Sequence, residues 1–290
     1  MIATPSRSAL AAAPAGHRLL RDLLSRPYPA VMGVLNVTPD SFSDGGQFII
    51  PERALAQARR MVAEGADIID IGAESTRPYG SQPVSADQEQ ERLRPILAGV
   101  IALGIPVSID SMKSSVVAWA LDAGAAIAND VWGLQHDPGM APLLAQRGAP
   151  VIIMHNRDSA DAGIDIMDEI AGFFARSLEI AAKAGIPTEN IVLDPGIGFG
   201  KTAEQSMIAL ARLDELKAFN LPLLVGASRK RFIDAITPSE PYQRLGGSIA
   251  AHMLAAQRGA RIIRTHDVAE TLQALRVAAA IEDKARTRDD

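Results

Sequence analysis

Three short apolar runs of the sequence end in side chains that accept hydrogen bonds. PVSID, AIAND and IVLD carry Asp110, Asn129 and Asp194 at or next to their carboxyl ends. A carboxylate that accepts two N–H bonds in an apolar cup holds its ligand with both direction and affinity. The set therefore suits a neutral heterocycle that has N–H donors and ring acceptors. Taken alone, Asp110 or Asp194 fits the capping of a following helix equally well.

Cations follow two later runs. SRKR places Lys230 after one of them, and RTHD places Arg264 and His266 at the end of the next. Arginine offers phosphate a planar fork of donors, and lysine offers it a point charge. Together, the two groups of residues indicate a heterocycle with an anionic phosphate group beside it.

These side chains are positioned by apolar runs that alternate with amphipathic helical stretches. The runs span 31–36, 67–72, 106–110, 126–130, 150–155, 191–194, 222–227 and 261–266. Strands that are apolar on both faces indicate a parallel sheet covered by helices. Eight strand–helix units with one composition throughout predict an α/β fold, a single-domain (β/α)8 TIM barrel with its chemistry at the carboxyl ends of the strands. A doubly wound sheet is the alternative, but no GxGxxG follows the first run.

Composition limits the class of protein. The chain has 290 residues, a net charge of −5 and no cysteine. We expect no nucleic-acid partner, because the sequence has no cluster of basic residues. Without cysteine, the chain can form no disulfide and no thiolate metal site, and this composition fits a protein of the cytoplasm. No run approaches the roughly 20 apolar residues of a membrane span, and the start lacks the basic region of a secretory signal. We expect residues 1–27 to be a disordered or loosely ordered lead, 28–282 the barrel, and 283–290 a solvated tail.

Two loops need separate interpretation. GVLNVTPDSFSDGG (33–46) opens a buried strand into a polar loop that is longer than a hairpin turn needs. DPGIGFGKT (194–202) does not meet the phosphate-binding pattern GxxxxGK[ST], since Gly196 and Gly200 stand too close. Its glycines would let the backbone pass close under a flat ligand. Phe199 fits stacking on that ligand and a role in the core equally well.

Nearly all of residues 30–280 resembles the dihydropteroate synthase family of folate biosynthesis. The stretches that carry the resemblance, in order, are GVLNVTPDSFSDGG, DIIDIGAESTRP, PVSIDSMK, AIANDVWG, LDPGIGFGKT, GASRKRF and RTHDVAET. The resemblance implies a TIM barrel that joins 4-aminobenzoate to 6-hydroxymethyl-7,8-dihydropterin diphosphate. The products would be 7,8-dihydropteroate and pyrophosphate, with Mg²⁺ required. It also implies a homodimer, formed through later helices such as GGSIAAHMLAAQRG.

The same resemblance assigns roles to individual residues. The pterin would be bound by Asp110, Asn129, Asp194, Gly226 and Lys230. The diphosphate would be bound by Asn36, Thr76, Arg77, Arg264 and His266, with Asn36 also at the Mg²⁺. The 4-aminobenzoate would meet Phe42, Pro78, Phe199, Lys230 and Arg231, and the loop 38–46 would close over the site. Catalysis would depend on Asp110, Asp194, Lys230 and Arg264.

Two other functions are compatible with a pterin-binding barrel. A related methyltransferase that uses a methylated folate shares the heterocycle cup but needs no diphosphate site, so Arg77, SRK and RTHD argue against it. A non-catalytic pterin-binding barrel would be favoured by a lost catalytic position, and the sequence shows none.

Overall fold

Eight parallel strands close into a barrel. The computed structural model describes residues 16–38, 49–74 and 84–286. The strands are β1 Ala30–Asn36, β2 Ile68–Gly72, β3 Val107–Asp110, β4 Ile127–Asp130, β5 Val151–Met154, β6 Ile191–Asp194, β7 Leu223–Val225 and β8 Ala260–Thr265. Each pairs in parallel with the next, and β1 also pairs with β8, with Ala30 opposite Ile262. The predicted (β/α)8 TIM barrel is confirmed, and the doubly wound alternative is wrong.

Helices surround the strands in the expected alternation. They are α1 Gly16–Leu24, α2 Ile49–Ala63, α3 Ala86–Ile101, α4 Ser114–Ala123, α5 Met140–Arg147, α6 Ile166–Ala184, α7 Ala203–Ala211, α8 Arg231–Ile236, α9 Leu245–Gln257 and α10 Val268–Arg286. Glycines end α4, α5 and α6 in the left-handed conformation, at Gly124, Gly148 and Gly185. In the described part of the chain, no helix is long and apolar enough to cross a membrane.

The strands have buried side chains on both faces, as the apolar runs predict. Outward-facing residues such as Ile69 and Ile153 pack against the helices in one large core. Inward-facing residues, among them Met32 and Ile262, form a second, smaller core inside the barrel. The barrel is therefore a packed body that positions whatever projects from its carboxyl end.

The amino end of the barrel is closed by α1, which the sequence analysis did not foresee. Leu20 and Leu23 of this helix are buried against the inner core. Arg261 of β8 donates to the carbonyl oxygens of Leu24 and, at 2.9 Å, of Arg26. The expectation of a loosely ordered lead over residues 1–27 is thus wrong for residues 16–24.

At the other terminus, α10 runs to Arg286. The expected solvated tail of residues 283–290 is therefore helical over its first four positions.

Candidate active site

A cavity at the carboxyl ends of the strands contains many of the predicted site residues. They come from β3, β4, β6, β8 and the loops after β6 and β7: Asp110, Asn129, Asp194, Phe199, Gly226, Lys230 and Arg264. The cavity is narrow, about 20 Å³, and side chains bonded across it fill much of the space. A heterocycle of two fused rings would have to move some of these side chains to enter.

Arg264 connects three strands across this cavity. Its Nε donates to Asp70 Oδ2 at 2.7 Å, and its Nη2 donates to Asp110 Oδ2 at 2.8 Å. Asn129 Nδ2 donates to the same Asp70 oxygen at 3.1 Å. Arg264 was expected at a diphosphate, but here its guanidinium is bonded to Asp110, a carboxylate of the predicted heterocycle site, and to Asp70, which was not predicted.

Three oxygens of this cluster have unused capacity to accept hydrogen bonds. Asp70 Oδ1, Asp110 Oδ1 and Asn129 Oδ1 are buried and have no hydrogen-bond partner within residues 16–38, 49–74 and 84–286. A buried polar atom without a partner costs free energy, so such atoms mark places where a ligand or water completes the site. Only N–H or O–H donors can satisfy these oxygens when the aspartates are ionised.

The two aspartates of the predicted site are harder to ionise than ordinary carboxyls. Burial, and then the charge of Asp70, raise the pKa of Asp110 to about 7, although Arg264 and Lys230 oppose the shift. Burial raises the pKa of Asp194 to about 6, opposed by the Gly196 N–H, which donates to its Oδ1 at 2.7 Å. Near neutral pH, a bound group with positive character would favour their charged forms.

The glycine-rich turn after β6 forms one wall of the cavity. Gly196 has a φ of +64°, and a Cβ there would lie 2.0 Å from the carbonyl oxygen of His155. This position therefore requires glycine for close backbone approach as well as for conformation. Further along the turn, the Phe199 ring faces Lys230, whose Nζ lies 4.0 Å from the ring centroid. This contact places Phe199 at the cavity rather than in the core.

A buried lysine lies behind this wall. Lys201 Nζ is 2.6 Å from Nδ1 of the fully buried His155, and it donates to the carbonyl oxygens of Gly196 and Phe199 at 2.9 and 3.1 Å. Burial lowers the pKa of Lys201 to about 7. This contact gives His155, which directly follows β5, a buried structural partner.

The residues predicted for the diphosphate are only partly placed. Asn36 ends β1 and is half-buried, so its side chain is available at the mouth of the barrel. His266 Nδ1 lies 3.0 Å from Ser228 Oγ. Burial and the nearby Arg264 charge lower the pKa of His266 to about 3, so it offers hydrogen bonds rather than a positive charge at neutral pH. Arg231 is the exposed first residue of α8.

Four predicted residues lie outside the described part of the chain: Phe42, Thr76, Arg77 and Pro78. Glu74 and Val84, the described residues on either side of positions 75–83, are hydrogen-bonded to each other. Glu74 Oε1 accepts the Val84 N–H at 3.1 Å, and Lys113 forms ion pairs with Glu74 and with the buried Glu89. Burial alone would lower the pKa of Lys113, but hydrogen bonds to the two carboxylates outweigh it and raise that pKa.

Comparison with known proteins assigns the chain to a family. The family model of pterin-binding enzymes matches residues 32–266. The dihydropteroate synthase of Bacillus subtilis is 42% identical over 255 residues, which cover 88% of this chain and 89% of that protein. The chain belongs to the dihydropteroate synthase family. The resemblance drawn from the sequence motifs is therefore confirmed.

Solved structures of dihydropteroate synthases share the fold throughout. A Clostridium difficile structure determined in the presence of pteroic acid is 47% identical, has a TM-score of 0.84, and covers 88% of this chain and 97% of its own. A Xanthomonas albilineans structure with 4-aminobenzoic acid is 43% identical, has a TM-score of 0.85, and covers 89% and 94%.

A larger cavity of about 540 Å³ lies outside this candidate site. It is bounded by α6 and the loops after β4 and β5, and its walls include Trp132, His136, Arg157 and Arg176. None of the predicted site residues in the described part of the chain lines it. Size alone does not outweigh the convergence of carboxylates, an amide and cations in the narrower cavity, so we assign the active site there.

Two residues of the site were missed by the sequence analysis, Asp70 and Lys201. Asp70 was hidden inside the run DIIDIG, where the signal is a carboxylate between isoleucines at an inward-facing position. A fully buried carboxylate needs a partner, and Asp70 finds it in Arg264. Lys201 was weighed only as part of a rejected phosphate motif, and nothing in its spacing indicates burial.

Proposed function

We propose that this protein condenses 6-hydroxymethyl-7,8-dihydropterin diphosphate with 4-aminobenzoate to form 7,8-dihydropteroate and pyrophosphate. The observation that carries the proposal is the set of buried oxygens without partners on Asp70, Asp110 and Asn129. Asp110 and Asn129 line one cavity with Asp194 and Lys230. Asp70 lies against that lining, because it accepts a hydrogen bond from Asn129. A pterin ring supplies the N–H donors that these oxygens lack.

In this proposal, the pterin occupies the space between β3, β4 and β6. Asp194 and Asn129 accept N–H bonds from the heterocycle, and Lys230 donates to its ring acceptors or carbonyl oxygen. Phe199 already lies under the Lys230 ammonium. Binding would exchange the contacts of Arg264 with Asp70 and Asp110 for contacts with the ligand, and this exchange would open the narrow cavity.

The chemistry breaks one C–O bond and forms one C–N bond. The diphosphate leaves with the electrons of the C–O bond, and the electron-rich pterin delocalises the positive charge left at its exocyclic carbon. Asp110 and Asp194 stabilise that charge electrostatically. The amine nitrogen of 4-aminobenzoate then attacks the carbon and releases a proton. Departure before attack follows from the family resemblance, whereas the residues would equally serve a direct displacement.

We propose that Mg²⁺ enters together with the diphosphate. Among the described residues, no group of three or more histidine, aspartate or glutamate side chains could hold a metal. Asn36 supplies at most one neutral oxygen, and this donor fits a Mg²⁺ whose other ligands are phosphate oxygens and water. The bound ion would supply positive charge to the leaving diphosphate, and Asn36, Arg264 and His266 would orient that group by hydrogen bonds.

The decisive experiment measures pyrophosphate release with both substrates, with each substrate alone, and after chelation of Mg²⁺. Release that requires 4-aminobenzoate and Mg²⁺, with dihydropteroate formed in equal amount, is the expected result. Binding of the pterin without any release, with Mg²⁺ and both substrates present, would favour the non-catalytic barrel. Methyl transfer from a reduced folate would favour the methyltransferase.

We also propose a homodimer formed through the last helices. Large apolar side chains are exposed on α8, α9, α10 and the turn before α9: Ile236, Tyr242, Leu254, Val277 and Ile281. Exposed apolar side chains grouped in one part of a surface are typical of a subunit contact. Light scattering should give twice the mass of the chain, and Leu254→Glu should shift the mass toward that of the monomer. A monomer at micromolar concentration would contradict the proposal.

Location in the cytoplasm remains a prediction from the sequence.

A further inference from the structure

The turn after β6 is held from behind by one buried side chain. We propose that Lys201 is a positioning residue for the pterin site. It keeps the turn from Asp194 to Phe199 in its pterin-binding shape, and its positive charge favours the ionised form of Asp194. The inference rests on the proposed function, because it concerns the same pterin site. Within the described residues, the hydrogen bonds of the Lys201 ammonium go to the backbone of this turn and to His155.

The contacts of Lys201 match the hydrogen-bonding capacity of an ammonium group. An ammonium has three N–H donors, and three acceptors surround Nζ: His155 Nδ1 at 2.6 Å, Gly196 O at 2.9 Å and Phe199 O at 3.1 Å. Nδ1 can accept only if the imidazole is neutral with its proton on Nε2. Burial and the positive charges of Lys201 and Arg157 hold the pKa of His155 well below its usual range, which agrees with that state.

His155 is itself firmly held. Its backbone N–H donates to the carbonyl oxygen of Asp194 at 2.9 Å, and its ring packs edge-on against Phe173 with the centroids 5.0 Å apart. Lys201 therefore joins the end of β5 to the turn after β6. Without Lys201, the Nδ1 atom and the Phe199 carbonyl oxygen would lose the donor that Lys201 supplies, whereas the Gly196 carbonyl oxygen would keep the Phe199 N–H at 3.0 Å. The turn would then reorient around the two acceptors, because a buried acceptor without a donor is costly.

The shape of this turn determines two features of the pterin cavity. The Gly196 N–H donates to Asp194 Oδ1 at 2.7 Å and so orients the carboxylate. The Phe199 ring lies 4.0 Å from Lys230 Nζ and so limits where the ammonium can reach. A rotation of either peptide would move a group that we assign to direct pterin contact.

Lys201 also acts through its charge. The charged groups around it are Asp194, Lys230, Arg157 and Glu169. The groups that face Asp194 are Lys230, Arg264 and Lys201, together with Asp110 across the cavity. Burial raises the pKa of Asp194, and Lys201 is one of the cations that oppose this shift. Removal of the Lys201 charge would raise the pKa of Asp194 further and move its ionisation to higher pH.

The test compares Lys201→Met with Lys183→Met, which removes an α6 lysine whose side chain is 74% exposed. Calorimetry with 6-hydroxymethylpterin, which has no leaving group, gives pterin affinity from pH 5 to 9. Lys201→Met should weaken binding roughly tenfold, as expected for one displaced hydrogen bond to a charged group. The midpoint of the loss of affinity at low pH should move to higher pH.

Affinity and midpoint both equal to those of Lys183→Met would overturn the inference. A merely structural lysine would lower stability in urea without moving the pH midpoint. Two variants of His155 provide an independent test if Lys201→Met does not fold. His155→Gln keeps an acceptor and should retain most of the affinity, whereas His155→Leu should resemble Lys201→Met. Equal affinities of these two variants would also contradict the inference. Failure of the unmodified protein to bind 6-hydroxymethylpterin would instead contradict the proposed function.

Discussion

Replacement of Asp194 by asparagine tests the pterin site with two measurements that should move in opposite directions. Asp194 is nearly fully buried, and its Oδ1 accepts the Gly196 N–H at 2.7 Å. Asparagine keeps the shape and one acceptor oxygen but loses the charge. Its amide would also present N–H donors toward a ligand that itself offers N–H donors.

The expected loss of pterin affinity follows from the hydrogen bonds removed. Each bond to a charged acceptor is worth about 1.5–3 kcal/mol. If two adjacent N–H groups of the pterin bind the carboxylate, the loss is at least about 3 kcal/mol, or roughly 150-fold in Kd.

The stability of the free protein should rise instead. Burial raises the pKa of Asp194 from 3.8 to about 6, so ionisation costs the folded state up to about 3 kcal/mol at about 1.36 kcal/mol per pKa unit. The stability of the protein with a neutral Asp194 is fully present below the pKa of the carboxyl in the unfolded chain. It is lost as the pH rises through the pKa of the carboxyl in the folded protein. A neutral amide at this position does not ionise and would avoid the loss. Asp194→Asn should therefore stabilise the protein by up to about 3 kcal/mol at pH 8 and roughly half of that at pH 5.

Calorimetry with 6-hydroxymethylpterin and urea unfolding at the two pH values provide the measurements. Asp67→Asn is the matched control, because Asp67 is also buried but accepts the Val31 N–H at 2.9 Å at the amino end of the barrel. It should lower stability and leave pterin affinity unchanged. Unchanged affinity in Asp194→Asn would remove Asp194 from the pterin site. Lower stability at pH 8 would refute the claim that its ionisation is costly.

Two further predictions concern catalysis and the closed end of the barrel. Lys230→Ala should reduce kcat/KM at least about 100-fold, because it removes the ammonium that lies over Phe199 in the cavity. The circular dichroism spectrum should be unchanged. Activity equal to that of Lys183→Ala would contradict the assignment of Lys230 to the site. Leu20→Ala should lower the free energy of unfolding by about 2–5 kcal/mol without changing either KM, since Leu20 is buried far from the site. The exposed Lys183→Ala is its control, and equal stabilities of the two variants would show that α1 does not contribute to the core.

The eight strands were predictable because their physics is local to the sequence. A strand covered on both faces must be apolar along its length. Short apolar runs between helical stretches, such as PVIIMH and IVLD, are therefore recognised as buried strands. The carboxyl-end residues Asp110, Asn129 and Asp194 were predictable for the same reason, since the fold determines which end of each strand carries the chemistry.

The features that were missed depend on partners distant in sequence. Asp70 is recognisable as a site residue only once Arg264 is placed beside it, 194 positions later. Lys201 depends in the same way on His155, 46 positions earlier. The helix α1 is only nine residues long, and its Leu20 and Leu23 gain an apolar environment only from the inward faces of strands that are far apart in the sequence.

The contacts at the amino end of the barrel also determine when the barrel can close while the chain is being synthesised. Arg261 lies 237 positions after Leu24, to which it donates, and β1 finds its second neighbour only in β8. At about 5–20 residues per second, the first helix leaves the ribosome roughly 10–50 s before its partner exists. During that interval Leu20 and Leu23 have no barrel to cover them. We expect this segment to be the part of the nascent chain that chaperones bind and that proteases cut first.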